Sequence, residues 1–311
     1  MLTDIVVVGS LNMDLVVSAP RSPEAGETLF GTAFHLFPGG KGANQAVAAS
    51  RLGARVSMVG RVGDDPFGPA LIDSLNDAGV DTRYVQTCSA ASTGVGCITV
   101  EPSGQNRIIV VSGANATVSN EDVDSALTLL AGSRLLILQF EIPLPVVEYA
   151  ARKAHEAGVP VFLNPAPAAA CPPTLLSLVD CVVPNELEAR SLTGVITDDD
   201  RSARTAALRL RALGARQAII TRGERGCVCA SEQGVWHEPA LPVQVVDTTA
   251  AGDAFIGGLA AATVRGKALS EAVRYATCAA SLAVARQGAQ ASLPHEAEVR
   301  EAFRQAYGRD P

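Results

Sequence analysis

Two glycine-rich segments that each run into a helix-like stretch carry the residues best suited to chemistry. The first is PGGKGANQA, Pro38 to Ala46, in which glycines let the backbone approach a small ligand without Cβ interference. Lys41 and Asn44 offer polar contacts there. The segment is not a Walker A loop, because Gly42 rather than Ser or Thr follows Lys41. It predicts a ligand-binding loop; the alternative is a tight loop before a helix with an exposed lysine.

The second segment, VVDTTAAGDAFIGG at Val245 to Gly258, has the pattern of a strand end, a small-residue turn and a helix. Backbone N–H groups of Ala250, Ala251 and Gly252 at that helix start would form an anion site, since the first helical N–H groups lack partners. Asp253 beside them is placed to accept a proton from an attacking hydroxyl. The chemistry indicated is phosphoryl transfer. The alternative for Asp253 is a carboxylate that only complements the helix dipole.

Strand-like and helix-like stretches alternate around these segments. Short bursts rich in Val, Ile and Leu, such as DIVVVGS, RLLILQF and VPVFLNP, predict strands buried on both faces. Stretches with helical spacing lie between them, and most end on glycine. The pattern predicts an α/β fold with a mostly parallel sheet and helices on both faces.

Two segments break this alternation and predict antiparallel strands instead: Leu15 to Phe37, and Thr93 to Ser112 with a turn at Pro102 to Asn106. Pairing of the two would give a small sheet over the ligand-binding edge of the main sheet. We therefore expect an α/β core formed by residues 1–14, 38–92 and 113–311, and a β-sheet lid formed by residues 15–37 and 93–112.

Composition narrows the function. The chain has 311 residues, of which 48% are hydrophobic and 18% charged, as in ordinary globular proteins. Its 25 basic and 32 acidic residues give a net charge of −7, which argues against general nucleic-acid binding. No apolar run approaches the roughly 18 residues needed to cross a bilayer. With an acid near its start where a signal peptide carries positive charge, we expect a cytoplasmic protein.

Cysteine and histidine usage offers no metal or disulfide framework. The seven cysteines include no CxxC pair, and the four histidines are scattered. Cys227 and Cys229 flank a valine in a strand-like run, so we expect both to pack on one face of a strand.

The motifs together resemble the PfkB family of carbohydrate kinases, and within it the ribokinase branch. The resemblance runs through VVVGSLNMD, PGGKGANQAVAA, STGVG, LNPAPA, PNELEA, TRGERG, DTTAAGDAF and RQGAQAS, and so covers the chain up to about Pro294. It implies a ribokinase-like fold and ATP-dependent phosphorylation of D-ribose at its terminal hydroxyl. Asp253 would be the general base, and the amides of Ala250, Ala251 and Gly252 would form the anion hole.

The resemblance also implies binding residues. The expected sugar-binding residues are Asn12, Asp14, Gly40, Lys41, Asn44, Glu141 and Asp253. Those expected to bind ATP are Asn185, Thr221, Arg222, Gly223, Glu224, Arg225, Gly226, Gly252 and Thr277. Thr277 is equally well read as an ordinary polar position on a helix. Glu188 would hold Mg²⁺ through water.

A potassium site and a homodimer are implied as well. The residues matching the family's monovalent-cation site are Asp247, Thr249, Ala283, Arg286, Gly288 and Ser292. Arg286 has the alternative of a charge at a helix C-terminus. Exposed lid strands would pair between two subunits, because an unpaired edge invites aggregation.

Three alternatives to ribose phosphorylation differ in kind. The same machinery would serve 2-deoxyribose, another sugar or a nucleoside, since the pocket alone decides. A non-catalytic sugar or nucleotide sensor could share the fold. A Rossmann oxidoreductase is excluded, because GSLNMD rather than GxGxxG follows the first strand.

Overall fold

The computed structural model describes residues 3–102 and 106–311. Its strands are β1 Ile5–Val8, β2 Asn12–Ser18, β3 Ala33–Gly39, β4 Val56–Gly63, β5 Asp81–Cys88, β6 Gly94–Val100, β7 Asn106–Val111, β8 Leu135–Gln139, β9 Val161–Asn164, β10 Cys181–Val182, β11 Gln217–Thr221, β12 Cys227–Ser231 and β13 Gly234–Glu238.

The helices are α1 Lys41–Arg51, α2 Phe67–Asp77, α3 Asn120–Ser125, α4 Leu127–Ala131, α5 Leu144–Glu156, α6 Pro173–Leu176, α7 Glu186–Thr193, α8 Asp200–Ala212, α9 Ala251–Val264, α10 Leu269–Val284 and α11 Glu296–Tyr307. Three 3₁₀ turns lie at Gly113–Thr117, Gly223–Arg225 and Gln290–Ser292. None of the described helices is both long and apolar enough to cross a membrane.

The main sheet has the order β13-β12-β11-β10-β9-β8-β1-β4-β5 and is parallel from β11 to β5. Both of its faces are covered, because alternate side chains of one strand enter different cores. Ile5 and Val7 pack with α1, α9 and α10, whereas Val6 and Val8 pack on the opposite face with α5 and α8. The predicted α/β architecture is confirmed.

A second, four-stranded sheet has the order β3-β2-β6-β7. The β2–β3 and β6–β7 pairs are antiparallel, as expected, and the two hairpins join through a parallel β2–β6 pair. Residues 103–105 of the predicted turn lie outside the described residues. Because β2 begins at Asn12 and β3 ends at Gly39, this sheet grows directly out of the two segments that hold polar candidate residues.

The strand end expected at Val245 is absent; this prediction was wrong. The backbone N–H groups of Val246 and Asp247 both donate to the carbonyl of Val284 at the end of α10, at 2.8 and 3.2 Å, so the segment is tied to a helix end rather than to a strand. The expectation for Cys227 and Cys229 agrees with the fold: both thiols are buried in the core on one face of β12.

Candidate active site

The candidate residues gather where the carboxyl ends of β1, β8, β9 and β10 meet the N-terminus of α9. Parallel strands end at one edge of the sheet, so polar residues that follow them in sequence converge there. The sheet order therefore brings together side chains as distant in sequence as Ser10, Glu141 and Asn185. At this edge a cavity of about 240 Å³ is lined by Lys41, Asn164, Ala166, Val183, Asn185, Glu188, Thr221, Thr248, Ala250, Gly252, Asp253 and Ile256.

Asp253 lies in the first turn of α9 and is 6% exposed. Its two carboxylate oxygens accept hydrogen bonds from the side-chain amides of Asn44, at 3.0 Å, and Gln45, at 2.9 Å. Burial raises the pKa of Asp253, while the positive charge of Lys41 and the two amide donors oppose the rise. The carboxylate is thus a base with a raised pKa held in one orientation, as general-base chemistry requires.

Lys41 contacts Glu141 through its backbone and the cavity through its side chain. Its backbone N–H donates to Glu141 at 3.1 Å, and its side chain lines the cavity beside Asp253. Burial lowers the pKa of Lys41, but Asp253, Glu141 and further carboxylates more than reverse that effect and the net pKa is raised. Lys41 therefore stays charged and offsets the acidic groups around it.

Sequence reasoning missed an amide chain beneath Asp253. The amide nitrogen of Gln139 donates to the oxygen of Gln45 at 2.7 Å, and the amide nitrogen of Gln45 donates to Asp253 and to Asn164. Gln45 and Gln139 have no exposed surface. Buried amides must find partners, so the chain fixes the orientation of the base. The signal available in the sequence was Gln45 itself, an amide followed in the same helix by the apolar run of alanine and valine at 46–49.

The backbone around Ala250 has the form expected of an anion site. Ala250 has φ +58°, the one positive φ outside glycine among the described residues, and such strain is concentrated at functional sites. Gly252 follows in the first turn of α9 and is exposed towards the cavity, and a Cβ built on it meets nothing within 4 Å. The protein itself leaves this space open, which fits a phosphoryl group at the helix N-terminus.

The expected sugar-binding side chains lie on the other side of Asp253, around Glu141. One oxygen of Glu141 accepts hydrogen bonds from Ser10, at 2.6 Å, and from the side chain of Asn12, at 3.4 Å. The oxygen of Asn12 accepts a bond from Asn115 at 2.7 Å. Gly40 lies within this group with φ +89°, and a Cβ on it would fall 2.7 Å from the backbone nitrogen of Asn12, so only glycine fits.

Asp14 lies on β2 of the small sheet, flanked by glycines of the neighbouring strands β3 and β6. A Cβ on Gly39 or on Gly96 would collide with its carboxylate oxygens. Burial raises the pKa of Asp14 to about 7, and the negative charges of Glu141 and Asp253 add to the rise. Asp14 is therefore a poorly hydrated carboxyl group close to other acids. Such a group suits a hydroxyl as hydrogen-bond partner, because a hydroxyl can both donate and accept.

Asn185 and Glu188, which are expected to face the nucleotide, form the capping box of α7. The backbone and side-chain nitrogens of Asn185 each donate to Glu188 at 2.8 Å, and the oxygen of Asn185 accepts the Glu188 backbone N–H at 2.9 Å. Thr221 lies against this cap through a parallel bridge to Asn185. Glu188 is 6% exposed and burial raises its pKa. Its carboxylate lines the cavity together with Lys41.

The loop after β11 offers backbone rather than side chains to a ligand. The 3₁₀ turn Gly223–Arg225, with Glu224 at its centre, is closed by a bond from the Arg222 nitrogen to the Gly226 carbonyl at 2.8 Å. The guanidinium of Arg222 is buried in ion pairs with Glu186 and Asp200, and that of Arg225 pairs with Glu186 at 2.6 Å.

Thr277 is brought to neither side of the cavity. It lies buried in α10, and its hydroxyl donates to the carbonyl of Val273 at 3.0 Å. This bond to its own helix agrees with the reading of Thr277 as a polar helix position.

Three of the residues expected at the cation site, Asp247, Thr249 and Gly288, are joined by hydrogen bonds. The Asp247 carboxylate accepts the backbone N–H groups of Thr249 and Gly288, each at 2.9 Å, which joins the loop before α9 to the loop after α10. Burial acts to raise the pKa of Asp247, but these donors lower it overall. The side chain of Arg286 pairs with Glu298, and the Ser292 hydroxyl donates to Ala289 at 2.8 Å. Ala283 is buried in the last turn of α10.

A buried aspartate beside an open helix N-terminus and a polar cavity is the arrangement that phosphoryl transfer requires. Residues 2–296 match the model of the pfkB family carbohydrate kinases. The chain belongs to the PfkB family of carbohydrate kinases.

Individual relatives agree over nearly the whole chain. It is 41% identical to a ribokinase from Haemophilus influenzae over 295 residues, which is 95% of this chain and 96% of that protein. It is 39% identical to a deoxyribokinase from Salmonella typhi, over 94% of this chain and 95% of that protein. The solved structure of an Arabidopsis thaliana ribokinase complexed with ribose and ATP superposes with a TM-score of 0.92 at 35% identity, covering 97% of this chain and 99% of that chain.

The raised pKa of Asp14 predicts how its replacement changes stability with pH. Between its ordinary value of 3.8 and about 7, the folded state binds a proton at Asp14 that the unfolded state has released, so stability falls as pH rises through this range. Asp14→Asn removes that penalty. We expect the melting temperature of the variant, relative to the unchanged protein, to gain more at pH 8 than at pH 5. An equal difference at both pH values would contradict the pKa shift.

The amide chain predicts a shifted pH profile. Gln45→Leu removes a donor to a charged carboxylate, worth roughly 1.5 kcal/mol or about one pKa unit, so the acidic limb of turnover should move up by about one pH unit. Gln139→Leu is the matched control, because it loses only the group that orients Gln45 and should shift the limb less. Limbs unmoved in both variants, in steady-state profiles from pH 5 to 9, would show that the amides only support the fold.

The space beside Gly252 predicts a separation of stability from activity. Gly252→Ala should leave the free energy of unfolding unchanged or raise it by up to about 1 kcal/mol, because alanine favours a helix, while lowering turnover at least about tenfold by filling the anion site. Gly132→Ala, at a helix end where a Cβ meets atoms only at 3.6 Å or beyond, is the control and should change neither. Full turnover in Gly252→Ala would place the phosphoryl group elsewhere.

Proposed function

We propose that this chain transfers the γ-phosphoryl group of ATP to the terminal hydroxyl, O5, of D-ribose. The observation that carries the proposal is Asp253, a buried carboxylate at the N-terminus of α9 with amide donors on both oxygens. It stands between the cavity lined by Lys41 and Glu188 and the polar cluster around Glu141. The relatives named ribokinase, one of them solved with ribose and ATP, support this acceptor and this donor.

Asp253 accepts the proton of O5 as the hydroxyl attacks. Asn44 and Gln45 hold the carboxylate so that a free lone pair faces the acceptor, and the raised pKa makes the carboxylate a better base than an exposed aspartate. The proton stays on Asp253 until the product leaves. Ribose is held by Asn12, Asp14 and the oxygens of Glu141, because vicinal hydroxyls match carboxylate and amide groups in pairs.

Backbone N–H groups of Ala250 and Gly252 stabilise the charge of the transferring group. The N–H of Ala251, which donates to the Thr248 carbonyl at 3.3 Å, joins them by exchanging this long bond for a phosphoryl oxygen. The strained φ of Ala250 and the empty space at Gly252 keep this helix end open to three phosphoryl oxygens. The side chain of Lys41, which lines the same cavity, supplies a positive charge.

ATP would lie along the loop 221–226 with Mg²⁺ near the α7 cap. Both Glu188 oxygens already accept bonds from Asn185, so this carboxylate fits an ion that keeps most of its waters better than one that needs direct ligands. The ion supplies charge neutralisation of the nucleotide phosphates. We place the protein in the cytoplasm, where ATP is supplied.

A potassium ion fits beside the anion site. Asp247 provides a carboxylate in its charged form, and its hydrogen bonds to Thr249 and Gly288 bring two loops to one place. The guanidinium of Arg286 is itself a cation and pairs with Glu298, so Arg286 would serve potassium through its backbone carbonyl. The ion would order the turn before α9. Replacing potassium by tetramethylammonium should then lower turnover without changing ribose affinity; unchanged turnover would contradict the site.

The small sheet serves as the lid and as the dimer interface. Every residue of β7 is exposed, and Ile109 is 70% exposed on this outermost strand, while Phe34 on β3 is 59% exposed. Such apolar edges are covered in stable proteins, and a second copy presents the same strand to cover them. Sedimentation should show a dimer at micromolar concentration and a monomer for Ile109→Lys. A wild-type monomer would contradict the interface.

The acceptor is tested by ADP release from MgATP with potassium present, comparing D-ribose, 2-deoxyribose, fructose and adenosine at equal concentration. Ribose should be preferred. The name of the Salmonella relative makes 2-deoxyribose the specific alternative. A preference for 2-deoxyribose would leave the proposed phosphoryl transfer intact and would contradict the proposed role of the polar cluster in binding ribose. Binding of ribose without ADP release would favour a sensor.

A further inference from the structure

A second cavity lies at the opposite end of α9 from the active site. It encloses about 350 Å³ where the end of α9 meets the first turns of α10 and α11, and its lining includes Arg265, Lys267, Glu271, Tyr275, Glu296 and Arg300. Ala262 also lines it, nine residues after Asp253, which is about 14 Å along the helix. The two cavities share no residue.

Tyr275 is the first sign that this cavity has a ligand. The residue is 3% exposed, and its hydroxyl proton has no acceptor within the described part of the chain, although the guanidinium of Arg265 lies close enough to the hydroxyl oxygen to act on its pKa. Buried hydroxyls are nearly always partnered. Burial raises its pKa to about 12, and Arg265, Glu296 and Arg300, all from the cavity lining, also act on that pKa. The hydroxyl end therefore faces the charged side chains, as a donor without an acceptor.

The cations around the cavity are the second sign. Only Arg265 is in a close ion pair, with Glu296 at 3.0 Å. Lys267 is 3.7 Å from Glu271, Arg309 is 3.9 Å from the same carboxylate, and Arg300 is 3.9 Å from Asp310. Of the side chains that line the cavity, Arg265, Lys267 and Arg300 are cations and Glu271 and Glu296 are acids, so the cations exceed the acids by one in a protein whose net charge is −7. Because such long ion pairs contribute little free energy, these cations can leave their acids for a stronger acceptor at little cost in stability.

We propose that this cavity binds a small anion carrying a phosphoryl group. Such a group brings three acceptor oxygens and about −1.5 to −2 charges, enough for Lys267, Arg300 and the Tyr275 hydroxyl at once. A single carboxylate brings one charge and two oxygens, and would leave at least one of these three groups without an acceptor. The proposal does not depend on ribose phosphorylation, since none of these residues touches the active site.

Calorimetric titration with pyrophosphate tests the site. The protein is first saturated with ribose and a non-hydrolysable ATP analogue, so that the anion site at α9's N-terminus is filled. The variants are Tyr275→Phe, which keeps the ring, and the double change Lys267→Gln with Arg300→Gln. The matched control is Arg152→Gln with Lys153→Gln, two cations on α5 that also pair with nearby acids, at 3.9 and 3.0 Å.

We expect pyrophosphate to bind the unchanged protein and the control with equal affinity. The affinity should be at least about tenfold lower for the double variant and at least about threefold lower for Tyr275→Phe. ADP release without pyrophosphate should be the same in all of them. The site is overturned if the unchanged protein gives no binding heat at about 1 mM pyrophosphate. It is also overturned if both cavity variants bind pyrophosphate with the affinity of the unchanged protein. Tighter binding of citrate than of pyrophosphate overturns the phosphoryl assignment. If the double variant does not fold, as judged by circular dichroism, Tyr275→Phe alone decides.

Discussion

Keeping one carboxylate in a charged form inside the protein is the constraint on which this molecule depends. Asp253 is buried, and an unpaired buried charge would neutralise itself by taking a proton. Lys41 offsets its charge at a distance, and Asn44 and Gln45 each donate one amide hydrogen bond to one of its oxygens, which leaves a lone pair on each oxygen free. These partners come from one turn of α1, so the packing of α1 against α9 is what makes the base usable. Gly257 permits that packing, because a Cβ there would collide with Ala48.

The same constraint explains the two sheets. The main sheet ends its parallel strands at one edge and delivers Glu141, Asn164 and Asn185 around Asp253. The small sheet begins at Asn12 and carries Asp14 between glycines of β3 and β6. Burial raises the pKa of Asp14 to about 7, and the negative charges of Glu141 and Asp253 add to the rise.

Much of this could be predicted from the sequence. Apolar bursts alternating with helical spacing indicate the α/β core, and glycines at Gly40 and Gly252 mark places where a backbone meets a ligand. The parallel pairing of β2 with β6 could not be predicted, because hairpin signals report only neighbours in sequence. The missing strand at Val245 has a similar cause: alternation of valines looks like a strand, whereas the segment is held by the end of α10. Gln139, 94 residues from Gln45, becomes a partner only in the folded chain.

The central claim, that Asp253 takes the proton of the acceptor hydroxyl, is tested most directly by Asp253→Asn. The rate of a single turnover with MgATP and ribose and the dissociation constant for ribose are measured on the same sample. Asparagine keeps the shape of the side chain and loses the base, so the rate should fall by roughly 10² to 10⁴ while ribose affinity changes by no more than about threefold. A rate within about threefold of the unchanged protein would contradict the account, because phosphoryl transfer would then proceed without this base.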